Sequence, residues 1–336
     1  MIDIMIKIIE FSTKTRALTK QEKLAGENVM QQCLQVKKNE KVLVIADFLT
    51  EKIQAPIFFE SAKKYTNRVK MVIIKPSGRS GIEPPKEVAK LMAESNVVLA
   101  PTTYSITHTN ARFLAGKNGA RIATMPDISH NTILRTLTMD YSEVATLSKK
   151  VAGLLTMAEK AQLTSPSGTN ISFSLAGRDA LADTGLIINP GDCGNLPAGE
   201  GLIAPVEGKS EGILVFETCY GEQKLTGPIA FEVKKGLVTK ALCQNNQMKQ
   251  IEAVLNKLGS KARNIAELGV GTNKMAKPIG GILEIEKIYG TCHVALGNNA
   301  YFGGEVDIPY HDDGLIVNPT LKLDGKTIIK NGKFII

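Results

Sequence analysis

The chain has 336 residues, 43% hydrophobic and 22% charged, a balance that excludes wholesale disorder at a length beyond which one hydrophobic core usually stops growing, so two domains are expected. A formal charge of +8 raises nucleic acid as a partner, but the lysines are dispersed in short pairs such as Lys37-Lys38, Lys63-Lys64, Lys149-Lys150 and Lys234-Lys235 rather than gathered on one basic face. Aromatic residues make up 5% and Trp is absent, so stacking platforms are sparse and no nucleic-acid partner is expected.

The longest apolar runs, VLVIADF from Val42 and VVLA from Val97, are strand-sized, so no membrane span is expected. The N-terminal MIDIMIKIIEFSTKTRALTKQEK interrupts its apolar residues with charges, which is poor grammar for a signal peptide. Cysteines at 33, 193, 219, 243 and 292 are odd in number and scattered, giving little support to a disulfide framework and favouring a cytoplasmic location.

In chain order, Thr19-Lys20-Gln21-Glu22 has capping-box spacing ahead of Leu24, Val29 and Leu34, which predicts a helix. VLVIADF reads as a buried strand. Thr50 to Tyr65 carries Ile53, Ile57, Phe58 and Ala62 at helical spacing, and Val69 to Ile74 is a second buried strand. A Pro/Gly loop from Pro76 to Pro85 leads to a short helix and the strand VVLA. Asn110 to Gly119 is predicted helical, RIATM from Arg121 strand-like, and a mostly helical pattern runs from about Ile128 through SEVATLSKKVAGLLTMAEKA. Strands alternating with helices imply parallel pairing, because parallel neighbours need crossovers. Residues 1–160 are therefore expected to form a three-layer α/β domain with a parallel sheet.

After Ala161 the pattern changes. SPSGTN opens a series of short β-prone stretches, ISFSLAG, LIINP, GILVFET, IAFEV and TIIKNGKFII, broken by Gly and Pro. QMKQIEAVLNKLG, with Ile251, Val254, Leu255 and Leu258 on one face, is the strong helix within it. Residues 161–336 are expected to form an α+β domain rich in antiparallel strands. GVGTNK at Gly269 lacks the spacing of a phosphate loop, and the first strand ends in ADFLTEK without a dinucleotide fingerprint.

The candidate chemistry lies in this second half. His311 and Asp313, in DIPYHDDG, point to the same side of an extended segment and can meet one cation. His293, in GTCHVALG, can reach them if the Gly303-Gly304 turn brings the two segments together, giving a 2-His-1-carboxylate set. Hydrogen-bonded structural histidines account for the same residues equally simply. Glu267 in NIAELGVGTN and Glu200 in GNLPAGEGLIAP are acids among apolar neighbours, costly to bury without a partner or a cation. Glu284 and Glu286, in GGILEIEKIYG, alternate with isoleucines as on a strand face; Glu286 is preferred as a further ligand. His108 reads as a residue at a sheet edge, within reach of Arg112 on the following helix, or as a turn-stabilising or solvent-exposed residue, and His130 as a helix-start residue.

NLPAGE, AELGVGTN, GTCHVALG and YHDDG, in this order, resemble the thermophilic aminopeptidase T/S family of metallopeptidases (leucyl aminopeptidase-like). The resemblance covers residues 161 to 325, is more diffuse over the N-terminal half, and joins through SPSGTN and FSLAGR. It implies that Glu200, Glu267, Glu286, His293, His311 and Asp313 hold two divalent ions, Zn, Co or Mn. It also implies that Glu200 and Glu267 act in catalysis, with Tyr301 near the position of an active-site tyrosine. The implied protein is a homodimeric aminopeptidase that hydrolyses the first residue of small peptides with a metal-activated water. The segment between His293 and His311 is shorter than in that family. A more distant resemblance, to ring-cleaving dioxygenases acting on dihydroxypyridines, implies instead one Fe(II) held by His293, His311 and Asp313. A catalytically weak ligand-binding homologue is a third possibility.

Overall fold

A computed structural model describes residues 6–221 and 223–336, so the first five residues of the expected N-terminal domain lie outside the described residues. The chain divides into two compact units, Met1–Val144 with Gly185–Ala198, and Ala145–Thr184 with Gly199–Ile336. Among the described residues no helix is long and apolar enough to cross a membrane.

The first unit is the α/β part. Its sheet runs in the order Lys7–Glu10, Val69–Ile74, Val42–Asp47, Val97–Ala100, Arg121–Thr124 and Cys193–Asn195. All neighbours pair in parallel except Lys7–Glu10, which is antiparallel to Val69–Ile74. Alternate residues of one strand feed opposite layers. Val42, Val44 and Ala46 pack with Ile57, Phe58, Phe59 and Ile133, while Leu43 and Ile45 pack with Val88, Met92, Ala111 and Ala115. Burial of each such large apolar side chain is worth about 1.5–3 kcal/mol, which is why continuous apolar runs serve here as central strands.

The capping box forms as its spacing predicts. The Glu22 N–H donates to Thr19 Oγ1 and the Thr19 N–H donates to Glu22 Oε2, opening the helix Lys20–Asn28. Helices at Gln54–Ala62, Lys86–Ala93 and Asn110–Lys117 follow. The helical pattern after Ile128 divides into His130–Thr136 and Tyr141–Met157, so His130 does start a helix. His108 lies exposed in the turn before Asn110. Arg112 Nε donates to the Thr107 carbonyl at 2.5 Å.

Residues 185–198 return to this unit, a return that a single join near Ala161 does not contain. LIINP forms no strand. Its Ile187 N–H donates to the Cys33 carbonyl at 2.7 Å and its side chain enters the apolar core.

The second unit contains two antiparallel sheets, of seven and eight strands. One apolar cluster draws on both, joining Leu268, Val270, Val294 and Ile316 to Leu163, Phe173, Leu214, Phe231 and Leu321. The helix Asn246–Leu258 buries Met248, Ile251 and Leu255, whereas Val254, expected on the same face, is 43% exposed. The strand expected at Glu284 and Glu286 is a short helix, Ile282–Ile285, capped by Glu286. Alternation over four residues fits one helical turn as readily as a strand, and Gly280-Gly281 marks the helix start.

Candidate metal centre

Four adjacent strands of the seven-stranded sheet carry the candidate groups: Glu200–Ile203, Ile265–Gly271, Cys292–Gly297 and His311–Ile316. Glu200 pairs with Gly271, Gly269 with His293, and Glu267 with Ala295; Ala295 in turn pairs with Asp313, and Gly297 with His311. Paired residues share a face and alternate residues return to it. Glu200, Glu267, His293, His311 and Asp313 therefore all stand on one face, separated by Gly269, Gly271, Ala295 and Gly297. Their strand neighbours Leu268, Val270, Cys292, Val294 and Ile316 point the other way, into the apolar core.

The small residues are what make room. A Cβ at position 269 would lie 1.9 Å from His293 Nε2, so only glycine lets the imidazole lie across the neighbouring strand. His293 Nε2 is hydrogen-bonded to Glu267 Oε1 at 3.2 Å and lies 3.2 Å from Glu200 Oε2. His311 Nε2 lies 3.3 Å from Glu267 Oε2 and 3.6 Å from Asp313 Oδ2. His311 Nδ1–H donates to the Asn298 carbonyl at 2.7 Å, which turns Nε2 toward the acids.

Two groups of potential ligands result: Glu200, Glu267 and His293, and Glu267, His311 and Asp313. Glu267 belongs to both. The triad of His293, His311 and Asp313 considered in sequence is thus divided, with His293 placed beside the two glutamates. Glu286 joins neither group; its Oε1 lies 2.9 Å from Lys287 Nζ. Tyr301 sits on a short 3-10 turn, Ala300–Phe302, is 58% exposed, and belongs to neither group.

Lys287 and Asp183 were not legible as site residues. The buried Lys287 ammonium contacts Glu200 Oε1 and lies 3.4 Å from Asp183 Oδ2. A lysine directly after the Glu-Ile-Glu run was the only signal available, and an exposed lysine is the ordinary reading of it.

Electrostatics follow from the crowding. Burial alone would raise the Glu267 carboxyl, but hydrogen bonds from His293 and His311 outweigh it and hold the group at about 2. Burial likewise opposes the ionised form of Glu200, and the Lys287 charge with His293 overcomes that opposition and lowers it. Glu286 goes the other way: burial, with the charges of Asp313 and Glu200 against the pull of Lys287, pushes it up to about 8. Burial would favour neutral imidazoles, yet the surrounding acids raise both His293 and His311 well above the ordinary range. Acids and imidazoles packed this closely bind protons or a cation in the same space.

The donor set fits a divalent ion. Asp313 Oδ1, in the group with Glu267 and His311, is buried and has no hydrogen-bond partner among the described residues. Imidazole nitrogen with carboxylate oxygen suits Fe, Mn, Co or Zn.

The fold is shared with two solved structures. The 2,5-dihydroxypyridine dioxygenase of Pseudomonas putida KT2440 superposes with a TM-score of 0.78 at 18% identity, covering 95% of this chain and 98% of that one. Wild-type AmpT from Thermus thermophilus gives 0.70 at 14%, covering 95% and 100%. None of the curated proteins compared matches the chain in sequence.

Residues 23–336 match the family model described as NicX: 2,5-dihydroxypyridine 5,6-dioxygenase. This match overturns the expected metallo-aminopeptidase, because it places the chain among oxidoreductases and not hydrolases. The match bears out instead the more distant resemblance, to ring-cleaving dioxygenases acting on dihydroxypyridines; the four motifs describe a sheet face that gathers acids and imidazoles, and such a donor set does not fix the reaction it serves. From Lys23 to its final residue, the chain belongs to the NicX family.

Proposed function

We propose that this protein is a metal-dependent dioxygenase that opens the ring of a dihydroxylated pyridine, with one ferrous ion held by Glu267, His311 and Asp313. The observation that carries the reading is the family match over residues 23–336. The cluster chosen for the ion contains His311, whose side chain is 31% exposed, so a ring can approach from that side. His293, Glu200 and Glu267 are almost fully buried behind it.

When bound, the ferrous ion supplies the redox chemistry that lets dioxygen react with an electron-rich ring. The Asn298 carbonyl fixes His311 in the tautomer that presents Nε2. The apolar reverse face of the sheet keeps the donors in register. Phe302, edge-on to His311 with ring centroids 5.8 Å apart, gives the exposed side an aromatic wall for a flat substrate. For cleavage between ring positions 5 and 6, the carbon–carbon bond breaks and both oxygen atoms enter the product. The product has the composition of substrate plus dioxygen, and no external reductant is consumed.

The test is dioxygen uptake by protein loaded anaerobically with Fe(II) and given 2,5-dihydroxypyridine, followed together with loss of the ring absorbance. Coupled uptake and absorbance loss support the assignment. Absence of both across the isomeric dihydroxypyridines, with iron demonstrably bound, overturns it.

A further inference from the structure

Lys287 is 2% exposed and lies two residues past the short helix Ile282–Ile285, after its cap Glu286. Its ammonium meets three carboxyl groups: Glu200 Oε1, Glu286 Oε1 at 2.9 Å and Asp183 Oδ2 at 3.4 Å. An ammonium has three donors and no acceptor, so these partners saturate it and give it no reason to leave. Glu200 is consequently divided between two neighbours. Its Oε1 serves Lys287, while its Oε2 faces His293 Nε2 at 3.2 Å.

We infer that Lys287 is the resident cation at the Glu200 end of this sheet face and that it restricts the face to a single divalent ion, at Glu267, His311 and Asp313. The inference rests on the metal-binding part of the functional reading and is independent of the reaction proposed there.

The argument is one of distance and charge. A divalent ion held by Glu200 Oε2 would share one carboxylate with the ammonium, placing the two cations roughly 5 Å apart in a buried setting. Repulsion between them at an effective dielectric near 20 weakens the inner position by on the order of a hundred-fold or more, even after Asp183 offsets part of it. Among the described residues, His311 and Asp313 pair with each other and His311 with Glu267, and no lysine or arginine forms an ion pair with either acid or imidazole there, so the outer position does not carry this penalty. A lysine that only braced the loop would leave the number of ions unchanged.

The experiment uses the intact chain and Mn(II) as the probe, with ions per chain counted by equilibrium dialysis and elemental analysis, and their separation read by electron paramagnetic resonance. The wild-type protein is expected to bind one Mn(II) with the hyperfine pattern of an isolated ion. Lys287→Met, which removes the charge and keeps an apolar stem, is expected to bind two, with an exchange-coupled spectrum; Lys287→Arg is expected to remain at one. Two coupled ions in the wild type, no bound ion, or a folded Lys287→Met that still binds one would each overturn the inference. Should Lys287→Met fail to fold, Glu200→Gln decides. The inference predicts one ion and an affinity changed by less than about ten-fold, and loss of Mn(II) binding would contradict it. Dioxygen uptake by iron-loaded samples of the same proteins separates the two claims. One ion without turnover sinks the reaction alone, and two ions with turnover sink the role of Lys287 alone.

Discussion

Gly269 and His293 face one another across paired strands, and the imidazole of His293 fills the space that any side chain at position 269 would need. The buried end of the donor cluster therefore depends on a residue that carries no functional group. Gly269→Ala should displace the His293 ring, because the new methyl would overlap Nε2. Overpacking of this kind costs about 1–3 kcal/mol. A lowered melting temperature with weakened Mn(II) binding is the expected outcome by calorimetry, and an alanine variant with wild-type stability and affinity would show that the ring is free to sit elsewhere.

Outer-site geometry should depend on the segment 298–310. Glu207 Oε1 accepts from Asn299 Nδ2 at 2.7 Å and from the Glu305 N–H at 2.9 Å, while Arg178 bonds both Glu207 and the Gly303 carbonyl. Asn298, at the start of that segment, orients His311. Glu207→Ala should speed amide exchange across residues 298–310 and weaken Mn(II) binding by about ten-fold, the lower end of what loss of ligand orientation costs. Unchanged exchange would mean that other contacts hold the segment.

The acid limb of stability should carry a contribution from Glu22. Its carboxylate accepts from both terminal nitrogens of Arg16 at 2.6 and 3.0 Å, and from the Thr19 N–H, with His130 Nε2 at 2.8 Å. The Arg16 bonds, against the opposing effect of burial, hold the group at about 2. A carboxyl depressed on folding stabilises the protein above its unfolded pKa, near 4.3. That contribution is lost as pH falls toward 2. Because Arg16 is partly solvated, screening limits it to about 1–2 kcal/mol. Glu22→Gln should lose that amount in urea unfolding at pH 7 and differ little from wild type near pH 2; an equal deficit at both pH values would assign the effect to packing.

His311→Ala and Asp313→Ala should each abolish metal-dependent turnover while leaving the second unit folded. Both residues begin a strand whose apolar positions Leu315 and Ile316 remain in place. Circular dichroism checks the fold, and Mn(II) titration checks the ion. Retained binding in Asp313→Ala would move the ion toward Glu200 and His293.

Much of the architecture was legible because it follows from local rules. VLVIADF and VVLA had to be central strands, since continuous apolar runs of that length satisfy both faces of a parallel sheet. Thr19 and Glu22 marked a helix start through their reciprocal hydrogen bonds. The segments around His293 and His311 read as extended, whereas the strands bearing Glu200 and Glu267 did not stand out, and the register that places the five groups on one face is not written in any one segment.

Other features depended on contacts distant in sequence. Residues 185–198 return to the first unit through the pairing of Cys193–Asn195 with Arg121–Thr124, which no local pattern records. Lys287 became a site residue only because Asp183 and Glu200 fold against it. The reaction was the least legible, since acids and imidazoles on a sheet face announce a cation before they announce its chemistry.

The most direct measurement of the central claim is dioxygen consumption by the Fe(II)-loaded protein with 2,5-dihydroxypyridine, run beside His311→Ala. One dioxygen consumed per ring lost in the wild type, and none in the variant, is the predicted result. Iron-loaded wild-type protein that leaves both ring and dioxygen untouched would contradict it.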